Sequence, residues 1–242
     1  MRSVLLAIGL VVALAAPAHA DMEWCFPYKG PVLRSGSVVP PRARLAFQSD
    51  YTGNSAPLTA TINGKPVQVT RSSRIVSPFY VITAVIESDE TGDLVVTFGK
   101  SPPLRYKVSS AAMPVAVAGT IGRATGHLGS DEDEFTGLAI RLPEGTPALF
   151  AQVRHRDASD QPWHSFEVPL YTPLGDPRPA IRIGEFGCSD RNASLAILER
   201  GFELEVSVTL ADATVVPVTG LAKRMTLPEP LPPQPRPKNA RR

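Results

Sequence analysis

Histidine, acidic, nucleophilic, cysteine and aromatic side chains are the groups in this chain that could do chemistry, and their spacing restricts what each can do. After residue 20 the histidines are His127, His155 and His164. Metal binding from one local element needs a spacing such as H-x-x-x-H, and none occurs. His155 follows Leu149, Ala151 and Val153 at alternate positions, so it is expected at the end of an apolar strand face, as a structural histidine. Asp131, Glu132, Asp133 and Glu134 form the most acidic run. Calcium takes about six to eight oxygen ligands. Adjacent carboxylates on an extended segment point to opposite sides, so the run reads as a solvated loop. Neither a metal nor a cofactor is expected.

Nucleophilic chemistry finds no local support. A serine elbow needs G-x-S-x-G between a strand and a helix, and that sequence is absent. Gly122, Gly126 and Gly129 lack the Gly-Lys-Ser/Thr ending of a phosphate loop. The chain is therefore expected not to be an enzyme; an unrecognised active site is the last alternative. Trp163, Phe166 and Tyr171 are the candidate ligand-binding residues, in or beside the Pro-rich stretch 161–179. Aromatic rings there could stack on a sugar or hold a peptide. In a small sandwich the same Trp163 could instead fill the core, since aromatics supply much of its buried area.

Cys25 and Cys188 are the only cysteines. The N-terminus explains why they are expected to pair. Arg2 precedes the apolar run 4–16, and Ala18-His19-Ala20 offers small residues at the two positions a signal peptidase reads. The run is shorter than the roughly 20 residues of a membrane span. Cleavage is expected after Ala20, which makes 1–20 a signal peptide and places the mature chain in the periplasm or outside the cell. No transmembrane segment is expected in the mature chain. An exported protein with two cysteines reads as disulfide-bonded. A Cys25–Cys188 bridge would close a loop worth about 5 kcal/mol in the chain-entropy picture. Cys25 is not a lipidation site, because Met22-Glu23-Trp24 lacks the small and apolar residues required. Asn192-Ala193-Ser194 is a glycosylation sequon that matters only in a eukaryotic secretory path.

Composition bounds the architecture. Apolar residues make up 43% of the 242, too many for a disordered chain. The 25 prolines oppose long helices. Net charge is +2. Of the 25 Lys and Arg, six lie in 221–242 and one is Arg2, which leaves 18 for 21–220 against 22 of the 23 acids. An acidic body with a basic end is not a nucleic-acid-binding domain. The Pro-rich stretch 227–238 cannot join a sheet and is expected to be an extended, disordered tail.

The body reads as strands. Phe202, Leu204, Val206, Val208 and Leu210 alternate with polar residues without a fault, which is the period of a half-buried strand. Leu58, Ala60 and Ile62, then Val67 and Val69, alternate on either side of Asn63-Gly64, a tight-hairpin dipeptide. Residues 81–86 and 94–98 flank a second turn signal at 88–93; 104–108, 137–142, 149–153, 166–170 and 180–183 are further short runs. Residues 193–200 are expected to be a short helix or a loop ended by Gly201. The small residues 109–114 read as a boundary. They separate one β-sandwich over 21–108 from another over 114–220, with a Pro-rich basic tail over 221–242.

Pro27-Tyr28-Lys29-Gly30, with Val39-Pro40 and Leu45-Ala46-Phe47, resembles the opening of bacterial immunoglobulin-like domains. Leu198-Glu199-Arg200-Gly201, the alternating strand after it and 211–217 are similar to the final hairpin of an immunoglobulin or fibronectin type III sandwich. The resemblance implies an all-β chain of two tandem immunoglobulin-like antiparallel sandwiches. The antibody pattern of two cysteines and a tryptophan within one sandwich is absent. The expected role is an exported, non-enzymatic binding or structural protein. Its partner would be an unidentified protein or glycan of a bacterial cell envelope. A carbohydrate or peptide receptor using Trp163 and Tyr171 is the alternative.

Overall fold

The computed structural model describes residues 30–49, 56–76, 79–127, 134–157, 159–172, 177–185 and 201–225. Every regular element among them is a β-strand. In chain order these are β1 (Gly30–Pro31), β2 (Val38–Val39), β3 (Arg44–Ser49), β4 (Leu58–Ile62), β5 (Lys65–Val67), β6 (Val69–Val76), β7 (Phe79–Ile86), β8 (Gly92–Phe98) and β9 (Leu104–Val108). They continue as β10 (Val117–Ala118), β11 (Thr120–His127), β12 (Glu134–Arg141), β13 (Ala148–Arg156), β14 (His164–Pro169), β15 (Ala180–Glu185), β16 (Phe202–Leu210), β17 (Val215–Thr219) and β18 (Arg224–Met225). Cys25, Cys188, the N-terminal 1–29, Asp131 to Asp133, the stretch 193–200 and residues 226–242 lie outside the described residues.

The strands form four sheets, ordered β1-β3-β7-β6, β2-β9-β8-β4-β5, β11-β12-β15 and β10-β17-β16-β13-β14, the last with β18 also beside β16. None mixes strands of 30–108 with strands of 117–225, and 109–116 holds no strand. In immunoglobulin lettering the first sheet has the order A-B-E-D, and β9-β8-β4-β5 has the order G-F-C-C′. β2 joins β9 in parallel, and β10 joins β17 in the same way. The C-terminal sheets repeat the plan as A-B-E and G-F-C-C′.

Local sequence accounts for the hairpins. Asn63 and Gly64 both have positive φ, 50° and 80°, the backbone a two-residue turn between β4 and β5 needs. The Asn63 side chain then works outward: Oδ1 accepts from the Asp93 N–H, and Nδ2 donates to the Thr91 carbonyl, each at 3.0 Å. Gly92 fits beside it for want of a side chain, since a Cβ there would lie 2.1 Å from Asn63 Oδ1. The turn signal at 88–93 does not close a hairpin. β7 and β8 belong to different sheets, and the turn carries the chain from one to the other. At the last hairpin Asp212 Oδ1 accepts from the Thr214 N–H and hydroxyl, with Ala213 at φ 73°.

Alternation sets the cores. β16 is buried at Phe202, Leu204, Val206, Val208 and Leu210 and more open between them. Phe47 of β3 and Phe98 of β8 stack with centroids 5.5 Å apart, joining the two N-terminal sheets. Leu138, Ile140, Ile181 and Ile183 supply the inner face of β11-β12-β15. Full burial of each such side chain stabilises by about 1.5–3 kcal/mol. The sheet also runs past the expected start of the tail at 221: Met225 pairs with Phe202, Arg224 pairs with Glu203, and Met225 is buried.

The outer face of β1-β3-β7-β6 is covered as well. Leu45 and Phe47 face the first core, so Ala46, Gln48 and, by register, Val81 face away from it. These three are nevertheless only 1%, 5% and 0% exposed. Segments just beyond β14 and β16 reach this sheet. Gln48 Nε2 donates to the Leu170 carbonyl at 3.2 Å, and the Arg44 N–H donates to the Ala211 carbonyl at 2.6 Å. On β6 the Arg74 guanidinium grips both oxygens of Glu167 and lies 4.6 Å from the centre of the Phe150 ring.

Candidate functional site

The polar groups that face outward from β10-β17-β16-β13-β14 lie in register across its strands. Between the buried Ala151, Val153 and His155, β13 turns Gln152, Arg154 and Arg156 to the other side. Gln152 stands opposite Ser207, Arg154 opposite Glu205 and Arg156 opposite Glu203. The register extends through Ser165 on β14 and Pro217 on β17. Arg154 Nη1 binds Glu205 Oε2 at 2.8 Å. Arg156 puts Nε and Nη2 on one oxygen of Glu203, at 2.8 and 2.6 Å. Arg156 Nη1 also donates to the Ser159 carbonyl at 2.7 Å, which ties the loop before β14 to the sheet.

Trp163 sits on this face. The guanidinium carbons of Arg154 and Arg156 lie 4.9 and 4.6 Å from its ring centre, within cation–π range. It is half-buried and stands outside the core, the other place open to it in a small sandwich. A shallow groove continues across the face, lined by Gln152, Arg154, Glu205, Ser207, Pro217 and Thr219.

The three candidate aromatics do not come together. Phe166 is on the inner side of β14, with its ring 5.9 Å from that of His155. Tyr171 lies beyond the far end of β14, bridged to Ala180, with the Arg182 guanidinium 3.8 Å from its ring centre. Roughly 25 Å of extended chain separates it from Trp163.

His155 is 6% exposed, at the end of the apolar face as its spacing predicted. Sequence spacing did not reveal its neighbour: His164 stands directly across the strand pair, with ring centres 5.5 Å apart. Among the described residues no group of three or more His, Cys, Asp or Glu gathers to hold a metal ion. No helix among them is long and apolar enough to cross a membrane.

Sequence reasoning missed Gln152, Arg154 and Arg156. Their alternation with Ala151, Val153 and His155 is a local signal that could have placed them on one face. The acidic partners of the two arginines come from about fifty residues away, and only strand pairing assigns them.

No family model matches this chain, and none of the curated proteins matches it. Solved structures with partial similarity include a GBS pullulanase SAP in complex with maltotetraose, at 6% identity and TM-score 0.24, over 74% of this chain and 22% of that one. Two are segments of titin. Domains A168–A170 match at 9% identity and TM-score 0.21, over 76% of this chain and 59% of theirs. The I9–I11 tandem matches at 10% identity and TM-score 0.23, over 83% and 66%. The immunoglobulin-like description therefore rests on strand order and register.

Proposed function

We propose that this chain is an exported, non-enzymatic protein of a bacterial cell envelope, in which two tandem β-sandwiches form one rigid binding or structural module. The burial of Val81 and Gln48, with the hydrogen bond from Gln48 to the Leu170 carbonyl, carries this reading. A sheet face that would otherwise meet water is used to hold one sandwich against the other, which suits a part that must present a surface at a fixed angle. The first sandwich is immunoglobulin-like, over about 21–108. The second has no D strand among the described residues and resembles fibronectin type III, from about 114 to the end of β18. Cleavage after Ala20 would deliver the chain to the periplasm or beyond, and a Cys25–Cys188 bridge would reinforce the pairing of the sandwiches. The basic residues Arg236, Lys238, Arg241 and Arg242 would give the C-terminal end an attraction for anionic surfaces.

Sedimentation with isolated envelopes tests the proposal, using residues 21–242 beside a variant ending at Met225, so that β18 is retained. The expected result is pelleting of both, with the longer chain held more firmly in low salt. Pelleting of neither, or recovery of the protein from the cytoplasm, would overturn it. Trp163 on Arg154 and Arg156 favours a second reading, a receptor that uses the open face of the C-terminal sandwich.

A further inference from the structure

We propose that Asn63 is a site of spontaneous modification, conversion of its amide to aspartate or isoaspartate, which its contact with residues 91–93 guards and whose completion unlatches the β4–β5 hairpin from that segment. The proposal is independent of where the protein acts. Asn63-Gly64 is the one Asn-Gly pair in the chain; the other asparagines, Asn54, Asn192 and Asn239, precede Ser, Ala and Ala. Glycine leaves the backbone nitrogen that follows Asn63 without a side chain to shield it. Both residues are exposed at the tip of the hairpin.

The reaction needs only water. The Gly64 nitrogen attacks Asn63 Cγ: an N–Cγ bond forms, the Cγ–Nδ2 bond breaks, and the proton of the attacking nitrogen leaves with the amide as ammonia. The product is a five-membered succinimide. Water then adds its hydroxyl to either ring carbonyl and returns a proton to the nitrogen. Cleavage of the new N–Cγ bond gives aspartate. Cleavage of the original peptide bond gives isoaspartate, with the main chain running through Cγ. The attacking nitrogen must lose its proton, so the rate rises with pH.

The fold opposes the attack. Asn63 Oδ1 accepts from the Asp93 N–H and Nδ2 donates to the Thr91 carbonyl, each at 3.0 Å. The Asn63 N–H donates in turn to the Asp93 carbonyl at 2.9 Å. The carboxamide is thus clamped against 91–93, and Gly92 leaves it the space, since a Cβ there would lie 2.7 Å from Cγ. To meet the Gly64 nitrogen the side chain must give up both of its bonds and swing back over its own backbone. Two hydrogen bonds of ordinary net strength correspond to a slowing of about tenfold to a hundredfold. The products do not fit the same place. Ionised aspartate has no proton for the Thr91 carbonyl and sets oxygen against oxygen. It also brings a negative charge to a turn that already holds Asp89, Glu90 and Asp93. Isoaspartate lengthens a turn whose two residues, at φ 50° and 80°, keep β4 and β5 in register.

The test is peptide mapping by mass spectrometry of residues 21–242 held at mildly alkaline pH, folded and in guanidinium chloride, with Gly92→Ala and Asn63→Gln beside it. In the denaturant Asn63 should convert faster than Asn54, Asn192 and Asn239, and about tenfold or more faster than in the folded chain. Gly92→Ala, where its circular dichroism is that of the folded chain, should convert Asn63 at a rate between the two. If that variant does not fold, the folded and unfolded rates of the unsubstituted chain decide alone. Asn63→Gln should lose the reaction, because the longer side chain would have to close a six-membered ring. Converted protein, separated by ion exchange, should melt below the unconverted form. Equal rates in the folded and unfolded chains overturn the guard. Conversion in denaturant no faster than at the other asparagines overturns the site, and an unchanged melting temperature overturns the unlatching.

Discussion

Sheet β1-β3-β7-β6 and sheet β10-β17-β16-β13-β14 each turn one face to a core, and they differ in what becomes of the other face. The N-terminal sheet has Ala46, Gln48 and Val81 there, all buried, with Gln48 bonded to the Leu170 carbonyl. The C-terminal sheet has Gln152, Arg154, Glu205 and Ser207 there, in register and open to solvent. The first face meets C-terminal segments of the chain and the second is open to solvent. A small apolar or lightly polar side chain can be sealed at little cost once its one hydrogen bond is found. Two ion pairs cannot be sealed so cheaply, because desolvation outweighs their attraction. The distribution of residue types thus decides which face becomes internal.

The sharpest way to break this comparison is to place a charge on the closed face. Val81→Asp puts an unpaired carboxylate at a position with 0% exposure and should cost about 3–5 kcal/mol in urea denaturation. If the loss stays under about 1 kcal/mol, the face is not sealed in solution. Gly92→Ala probes the coupling between the regions. A methyl at φ 131° displaces the Asn63 side chain from both of its hydrogen bonds and should remove about 1–3 kcal/mol. If the regions fold as one body, near-ultraviolet signals from both will shift to the same new midpoint. Separate midpoints would show that the closed face does not couple them.

Gln48→Ala leaves the Leu170 carbonyl without that donor and should cost about 1–2 kcal/mol by the same denaturation assay. Arg74→Ala removes a partly exposed ion pair and a cation–π contact, and about 1 kcal/mol should be lost, less in high salt. The control on the other side of the comparison is Ser207→Asp. On the open face it should move stability by no more than about 0.5 kcal/mol.

Much of the strand plan was legible. The nine-residue alternation ending at Leu210 and the Asn63-Gly64 turn are local patterns, and they appear as β16 and the β4–β5 hairpin. His155 was legible as the end of an apolar face for the same reason. Trp163 was not. In sequence it is a large aromatic beside a strand, able to enter the core or stay out, and the guanidinium groups on β13 hold it on the outer face. The grouping with Phe166 and Tyr171 was a matter of sequence neighbourhood. A strand separates such neighbours, sending one inward and leaving another at its far end.

By itself, then, the sequence determined the all-β character, most strand positions and which residues share a side of each strand. These follow from a period of two and from turn chemistry spanning a few residues. The tertiary structure alone decided which outer face is closed. The continuous apolar run of β7 requires cover on both sides without naming what supplies it, and Gln48 reads as a surface residue until the Leu170 carbonyl arrives from over a hundred residues away. It also decided that Arg154 and Arg156 meet Glu205 and Glu203, because register between distant strands depends on how the whole sheet closes and on no property of either segment alone.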